Sequence, residues 1–141
     1  MSFWLIKSEP DSWSWDNHVQ KGVEHWDGIR NYQAANNMKA MRIGDLAFFY
    51  HSNTGKDIVG VVEVVKEYYP DHTDPKGQFG MVDFKALKPL SPSVTLTEIK
   101  QHPQLQDMTL IKQARLSVSP VKKQEWDIIL GMSAQKIVNT K

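Results

Sequence analysis

"DLAFFYHSNTGKDIVGVVEVVKEYY", residues 45–69, is the most hydrophobic segment of the chain, and its reading decides the fold. Two runs, 45–52 and 57–69, are rich in β-branched and aromatic residues and are separated by Asn53-Thr54-Gly55-Lys56. Such runs suit a pleated, buried surface, so the segment predicts a hairpin of two long, largely buried strands. "GMVDFKALKPL" (80–90) adds a third strand, in which Val82, Phe84 and Ala86 alternate with Asp83, Lys85 and Leu87. The Pro, Gly and Asp content of "PDHTDPKGQ" between them predicts a surface loop.

Upstream, "FWLIKS" (3–8) reads as an opening strand. The following "EPDSWSWDNHVQKG" predicts a short helix over roughly 12–20, ended by Gly22. In "HWDGIRNYQAANNM" (25–38) a turn through Trp26 and Gly28 leads into a helix capped by Asn31, which stops before Gly44. Ala35, Met38 and Met41 recur there at helical spacing.

Downstream, Thr95 and Glu98 have capping-box spacing, and Pro103 interrupts the helical segment they start. "RLSVSPV" (115–121) alternates like a strand and ends in Ser119-Pro120, an N-cap and N1 pair for a last helix closed at Gly131. Residues 132–141 are left as a polar C-terminal tail of one domain spanning 1–141. Strands at both ends and in the middle, with helices between, indicate a mixed α+β domain around a curled sheet or small barrel.

Composition narrows the function classes. The chain has 141 residues, 40% hydrophobic and 23% charged, enough for a core of its own. No apolar run approaches the roughly 20 residues that span a bilayer. The N-terminus lacks the basic and apolar regions of a signal peptide, so an intracellular protein is expected. Zero cysteines exclude disulfides, thiolate metal sites and a cysteine nucleophile. A net charge of +1 argues against a long phosphate track as the main source of affinity. The anomaly is five Trp, at positions 4, 13, 15, 26 and 126. Most are expected in the core.

Catalytic templates fit poorly. Five His occur without an HExxH or a paired His–carboxylate spacing, so no metal and no cofactor are expected. No phosphate-cradling glycine motif is present. His51 and Ser52 adjoin on a strand and therefore face opposite ways. Binding templates fit better. An unstacked base needs flat apolar walls and a few polar groups at its edge. Trp26 offers one wall and Tyr32, Phe49 or Tyr50 another, with Arg30 suited to a phosphate. Alternatively, Trp26 plugs the barrel end and Arg30 pairs with a surface acid. At the end of the first strand, Glu9 suits an exocyclic amino group. Otherwise Ser8 or Glu9 caps the next helix. Arg115 is either a phosphate contact or a surface charge.

"FWLIKSEP", "WDGIRNYQAANNM", "MRIGDLAFFYHSN", "IVGVVEVV" and "ARLSVSPV" occur in the order and spacing of EVE-domain proteins. Over about residues 2–131 the chain resembles that PUA-like family, which includes the thymocyte nuclear protein family and is related to YTH domains. The resemblance implies a small curled β-barrel flanked by short helices and a pocket that reads a flipped, modified nucleobase without catalysis. On it, Trp26 matches the first aromatic wall of the YTH cage, Lys7 and Ser8 match in identity, and Glu9 falls at the base edge. "GQFGMVDF" departs from the pattern, offering Phe79 where YTH domains place Trp. Glu9 in place of an amide-type residue argues against methyladenine and for a donor-rich edge such as cytosine's.

The expected site therefore has Trp26 stacking, with Phe49, Tyr50 or Phe79 opposite, and Glu9 and Asn31 on the base edge. Lys7, Arg30 and Arg115 approach phosphates, His51 and Ser52 line the rim, and Ser8, Tyr32 and Ser117 complete the set. The expected partner is DNA or RNA carrying a modified base, met by a monomer with no membrane contact. The alternatives are an enzyme on a modified base or nucleotide, with Glu9 or His51 as general base, and a small-molecule or protein-interaction sensor.

Overall fold

The computed structural model describes residues 1–139, with side chains through residue 137. In chain order the elements are β1 (Phe3–Ser8), α1 (Trp15–Lys21), β2 (Val23–His25), α2 (Tyr32–Ala40), β3 (Leu46–His51) and β4 (Asp57–Pro70). They continue with β5 (Gly80–Thr95), α3 (Leu96–Gln101), α4 (Thr109–Lys112), β6 (Val118–Val121) and α5 (Lys123–Asn139). One sheet holds the strands in the order β2-β5-β4-β3-β1-β6. β1 and β3 are parallel, and the other neighbours are antiparallel. The α+β class is as the sequence indicates. The barrel, however, is a curled sheet that stays open, with β2 and β6 as its two edges. Among the described residues no helix is long and apolar enough to cross a membrane.

Leu46–Tyr50 of β3 and Ile58–Val62 of β4 are apolar without interruption because both faces of the sheet are covered there. Side chains alternate across it. Ile6, Ala47, Phe49, Val62 and Val64 pack with Trp15 of α1 and Ala34 and Met38 of α2. Leu5, Phe48, Tyr50, Ile58 and Val61 pack with Ile99 of α3, Leu110 of α4 and Trp126 and Ile129 of α5. Phe48 and Trp126 stack with centroids 3.8 Å apart. On the α1 face Gly60 is required by close approach: a Cβ there would lie 2.5 Å from the Trp15 ring.

Ser119 and Pro120 do not start the last helix. They lie within β6, Pro120 opposite Trp4, and α5 begins at Lys123. β6 is an edge strand, where a residue without an N–H is tolerated. Nor does Gly131 end α5, which continues to Asn139 through most of the expected polar tail. Gly131 costs the helix only about 1 kcal/mol relative to Ala. Ile129 and Met132 pack on the core around it, and residues 140–141 lie outside the described residues. β2 is a strand that the sequence reading lacked, and it forms the edge on which the site is built.

Candidate binding cleft

Beyond Ser8 the chain makes a tight turn, in which the Glu9 carbonyl accepts from the Ser12 and Trp13 amides at 3.0 and 2.8 Å. The Ser8 hydroxyl donates to the Trp13 carbonyl. Together these carry Trp13 back over the strand end. Helix α1 is capped by Ser14, which exchanges a capping box with Asn17. Neither Ser8 nor Glu9 is therefore a cap. The Glu9 side chain is exposed and makes no hydrogen bond or ion pair with the described residues.

The opposite side of the cleft comes from β2 and the turn after it. The Trp26 amide donates to the Val82 carbonyl at 2.8 Å, extending the ladder to β5 by one residue. Gly28 then reverses the chain at φ 79°, a conformation that L side chains rarely adopt. Between Lys7–Trp13 and Glu24–Ile29 lies a cleft of about 660 Å³. Both Trp13 and Trp26 line it. Its size is within the roughly 300–1,000 Å³ of small-ligand sites. Trp26 is only 8% exposed, with its body edge-on to Phe49 (5.7 Å) and Phe84 (5.9 Å).

His18 is the hub behind these walls. It is fully buried, with Trp13, Trp15, Trp26 and Phe49 around it at 5.5–6.4 Å between ring centroids. Trp13 Nε1 donates to His18 Nδ1 at 3.1 Å, so the proton is on Nε2, which donates to the Phe84 carbonyl at 2.8 Å. Burial lowers its pKa from the ordinary 6.5, because a charged ring would be desolvated and Nδ1–H would oppose the indole N–H. The unfolded chain takes up this proton near pH 6.5, whereas the native fold resists it. Stability is thus fully present above that pH and is lost as pH falls below it. In an NMR titration the His18 ring signals should stay in their neutral positions at pH 6.5. A midpoint there or above would contradict the neutral tautomer.

Lys7 borders the cleft and reaches outward from it. Its Nζ donates to the Ala114 carbonyl at 2.6 Å, and partial burial lowers its pKa. Next to Ala114, Arg115 joins Asn31, Gln33 and Gln113 around a shallow hollow of about 360 Å³. Lys7 thus links the cleft to a polar and basic surface. Arg30 is committed elsewhere, to Asp71 Oδ2 (3.0 Å) and Thr73 Oγ1 (3.0 Å). The Asp71 carboxylate is fully buried and also accepts from the Gly28 and Thr73 amides. Burial alone would raise its pKa, but the bonds from Thr73, Gly28 and Arg30 hold it far below the usual carboxylate range. This clamp ties the Trp26 turn to the loop over residues 71–79.

Of the residues singled out in the sequence, the structure brings Lys7, Ser8, Glu9 and Trp26 together around the cleft. The others are placed differently. Phe49 is buried behind Trp26, and Tyr50 is buried on the other face of the sheet. Tyr32 and Phe79 pack on each other at 5.0 Å, and the Arg30 guanidinium lies over Phe79. His51 Nε2 accepts from the Trp15 amide at 3.0 Å. The Ser52 amide donates to the Ser8 carbonyl and the Ser117 carbonyl accepts from the Lys7 amide, so both brace the end of β1. Asn31 caps α2, accepting from the Ala34 amide. Trp13, His18 and Asp71 escaped the sequence reading. Nothing local marks them, since each acts through partners distant in sequence or behind a turn.

A family model described as the EVE domain matches residues 2–132. Thymocyte nuclear protein 1 of Gallus gallus is 36% identical over 94% of this chain and 69% of its own. The solved structure of Rpa0253 from Rhodopseudomonas palustris superposes with a TM-score of 0.91 at 52% identity, covering 96% of this chain and 94% of that one. Human THYN1 protein in complex with 5-methylcytosine-containing DNA superposes with a TM-score of 0.88 at 34% identity, covering 94% and 98%.

Proposed function

The chain belongs to the EVE-domain family, and on that premise we propose that it is a DNA-binding module whose cleft receives a flipped, modified cytosine. The observation that carries the reading is the pairing of two indoles, Trp13 and Trp26, with the unpartnered Glu9 carboxylate in one cleft. Stacking on an aromatic wall contributes about 1–3 kcal/mol per base. A carboxylate at the edge accepts from the N4 amino group of cytosine. The relative solved with 5-methylcytosine-containing DNA supports this choice of base. Lys7 retains donors beyond the one given to Ala114, and with Arg115 it offers the flanking phosphates a short basic path. Arg30 acts as a clamp on the turn and contributes to binding through its position.

The function is binding and not turnover. His51, one of the two general-base candidates, already has its Nε2 lone pair engaged by the Trp15 amide. In anisotropy titrations the protein should bind a 5-methylcytosine oligonucleotide more tightly than its unmodified counterpart. Glu9→Gln should weaken the former by about tenfold, because a charge-assisted bond becomes a neutral one. A native protein that binds neither oligonucleotide would end this reading. Product formed from the modified oligonucleotide by native protein and not by Glu9→Gln would replace it with an enzymatic one.

A further inference from the structure

At the rim of the cleft, His25, Asp27 and His72 offer ligand atoms that all lie within 4.8 Å of one another. We propose that these three residues form a binding site for a divalent transition cation of the Zn2+ type. Two imidazoles and a carboxylate are a donor set for such ions, which take three protein ligands and leave a fourth position open. His25 Nε2 is 3.6 Å from Asp27 Oδ2, near the ~3.4 Å between two ligand atoms on a tetrahedral ion with bonds of about 2.1 Å. The His25 and His72 rings meet edge to face, with centroids 4.9 Å apart.

The orientation of His25 is a separate observation in favour. Its Nδ1 is 3.1 Å from Glu24 Oε1 and donates to that carboxylate, which leaves Nε2 as the ring nitrogen that faces Asp27. Glu24 is itself held by Lys21 Nζ at 2.9 Å and by the His25 amide at 3.0 Å. A carboxylate behind a ligating imidazole fixes the ring and raises its basicity. The site draws its donors from two segments, the turn that carries Trp26 and the loop over residues 71–79. Asp71 already fastens these to each other through Gly28 and Arg30. The cation is a second fastening between the same two segments, and its open position takes water or an oxygen of a molecule in the cleft, whichever base that molecule carries.

The inference is tested on the full chain by calorimetric titration and thermal melts with ZnCl2 and, in parallel, MgCl2. Native protein should take up one Zn2+ saturably and melt at higher temperature with it, with no response to Mg2+. His72 is exposed, so His72→Ala should melt as native does without metal and bind Zn2+ at least tenfold more weakly. Glu24→Gln should weaken binding by about 10–100-fold without removing a ligand. In the native protein the ring signals of His25 and His72 should shift together as Zn2+ is added. Absence of saturable binding, affinity unchanged in His72→Ala, or Zn2+ shifts confined to other histidines would each overturn the site.

Discussion

Replacing Trp26 by alanine is expected to produce the largest single loss of stability and binding in the molecule. The side chain is 8% exposed and packs against Phe49, Phe84 and His18. Truncating a buried Trp leaves a cavity and costs about 3–5 kcal/mol, which urea unfolding should report as a lower midpoint. The exposed remainder of the ring is a wall of the cleft. Losing its stacking should weaken a methylated oligonucleotide by about 5–150-fold, the equivalent of 1–3 kcal/mol. Trp26→Phe separates the two roles. It keeps an aromatic ring against Phe49 and Phe84 but shortens the surface presented to the cleft. Its stability should fall by less than that of the alanine variant while its affinity still drops severalfold, and Trp13→Ala should lower affinity as well. If Trp26→Phe and Trp13→Ala both bind as native protein does, the indoles are core residues only and the stacking model fails.

The sequence carried the centre of this fold better than its edges. Residues 46–50 and 58–62 are legible because strand segments covered on both faces must be apolar throughout, and few other structures require that. The three residues of β2, Val23–His25, contain one apolar side chain and no alternation long enough to read. They become a strand only because the edge of β5 that faces away from β4 offers them a partner. Ser119-Pro120 shows how local preference loses to tertiary context. The pair suits a helix start, yet β1 needs an edge neighbour and takes it. For the site, Lys7, Ser8 and Glu9 at the end of the first strand and Trp26 on its turn are candidates from the residues themselves, each with a structural alternative. The motif resemblance favours the site over that alternative. Spacing alone leaves Trp26 open between core and wall, and the structure gives it both positions. Trp13 was hidden because its placement depends on the turn at Glu9 and on a bond to His18. The His25–Asp27–His72 cluster was hidden because its third member arrives on a distant loop.

That loop makes Asp71→Asn the second large effect. The carboxylate is buried and receives the Gly28 amide, Arg30 Nη1, and both the amide and hydroxyl of Thr73. All four partners are donors. An asparagine keeps one acceptor oxygen and turns an NH2 group toward donors, while Arg30 loses its counter-charge. Removing one member of a buried pair costs about 3–5 kcal/mol. Because the Arg30 side chain is 38% exposed, part of its charge is recovered by water, and a loss of about 2–3 kcal/mol is expected. Chemical denaturation measures this directly. The consequence for binding follows from what the clamp joins. Freed from Asp71, the Gly28 turn no longer holds Trp26 against a fixed loop, and the ligand must order that turn at its own cost. Asp71→Asn should therefore weaken DNA several-fold at a temperature where the variant remains folded, although Asp71 itself does not line the cleft. Arg30→Lys should reproduce part of the effect, since a lysine reaches Asp71 with one ammonium and cannot also span to Thr73. Stability lost with affinity unchanged would mean that the turn keeps its shape without the clamp. Equal losses in Arg30→Lys and Asp71→Asn would place the whole effect on the link that the Arg30 guanidinium makes between Asp71 and Thr73.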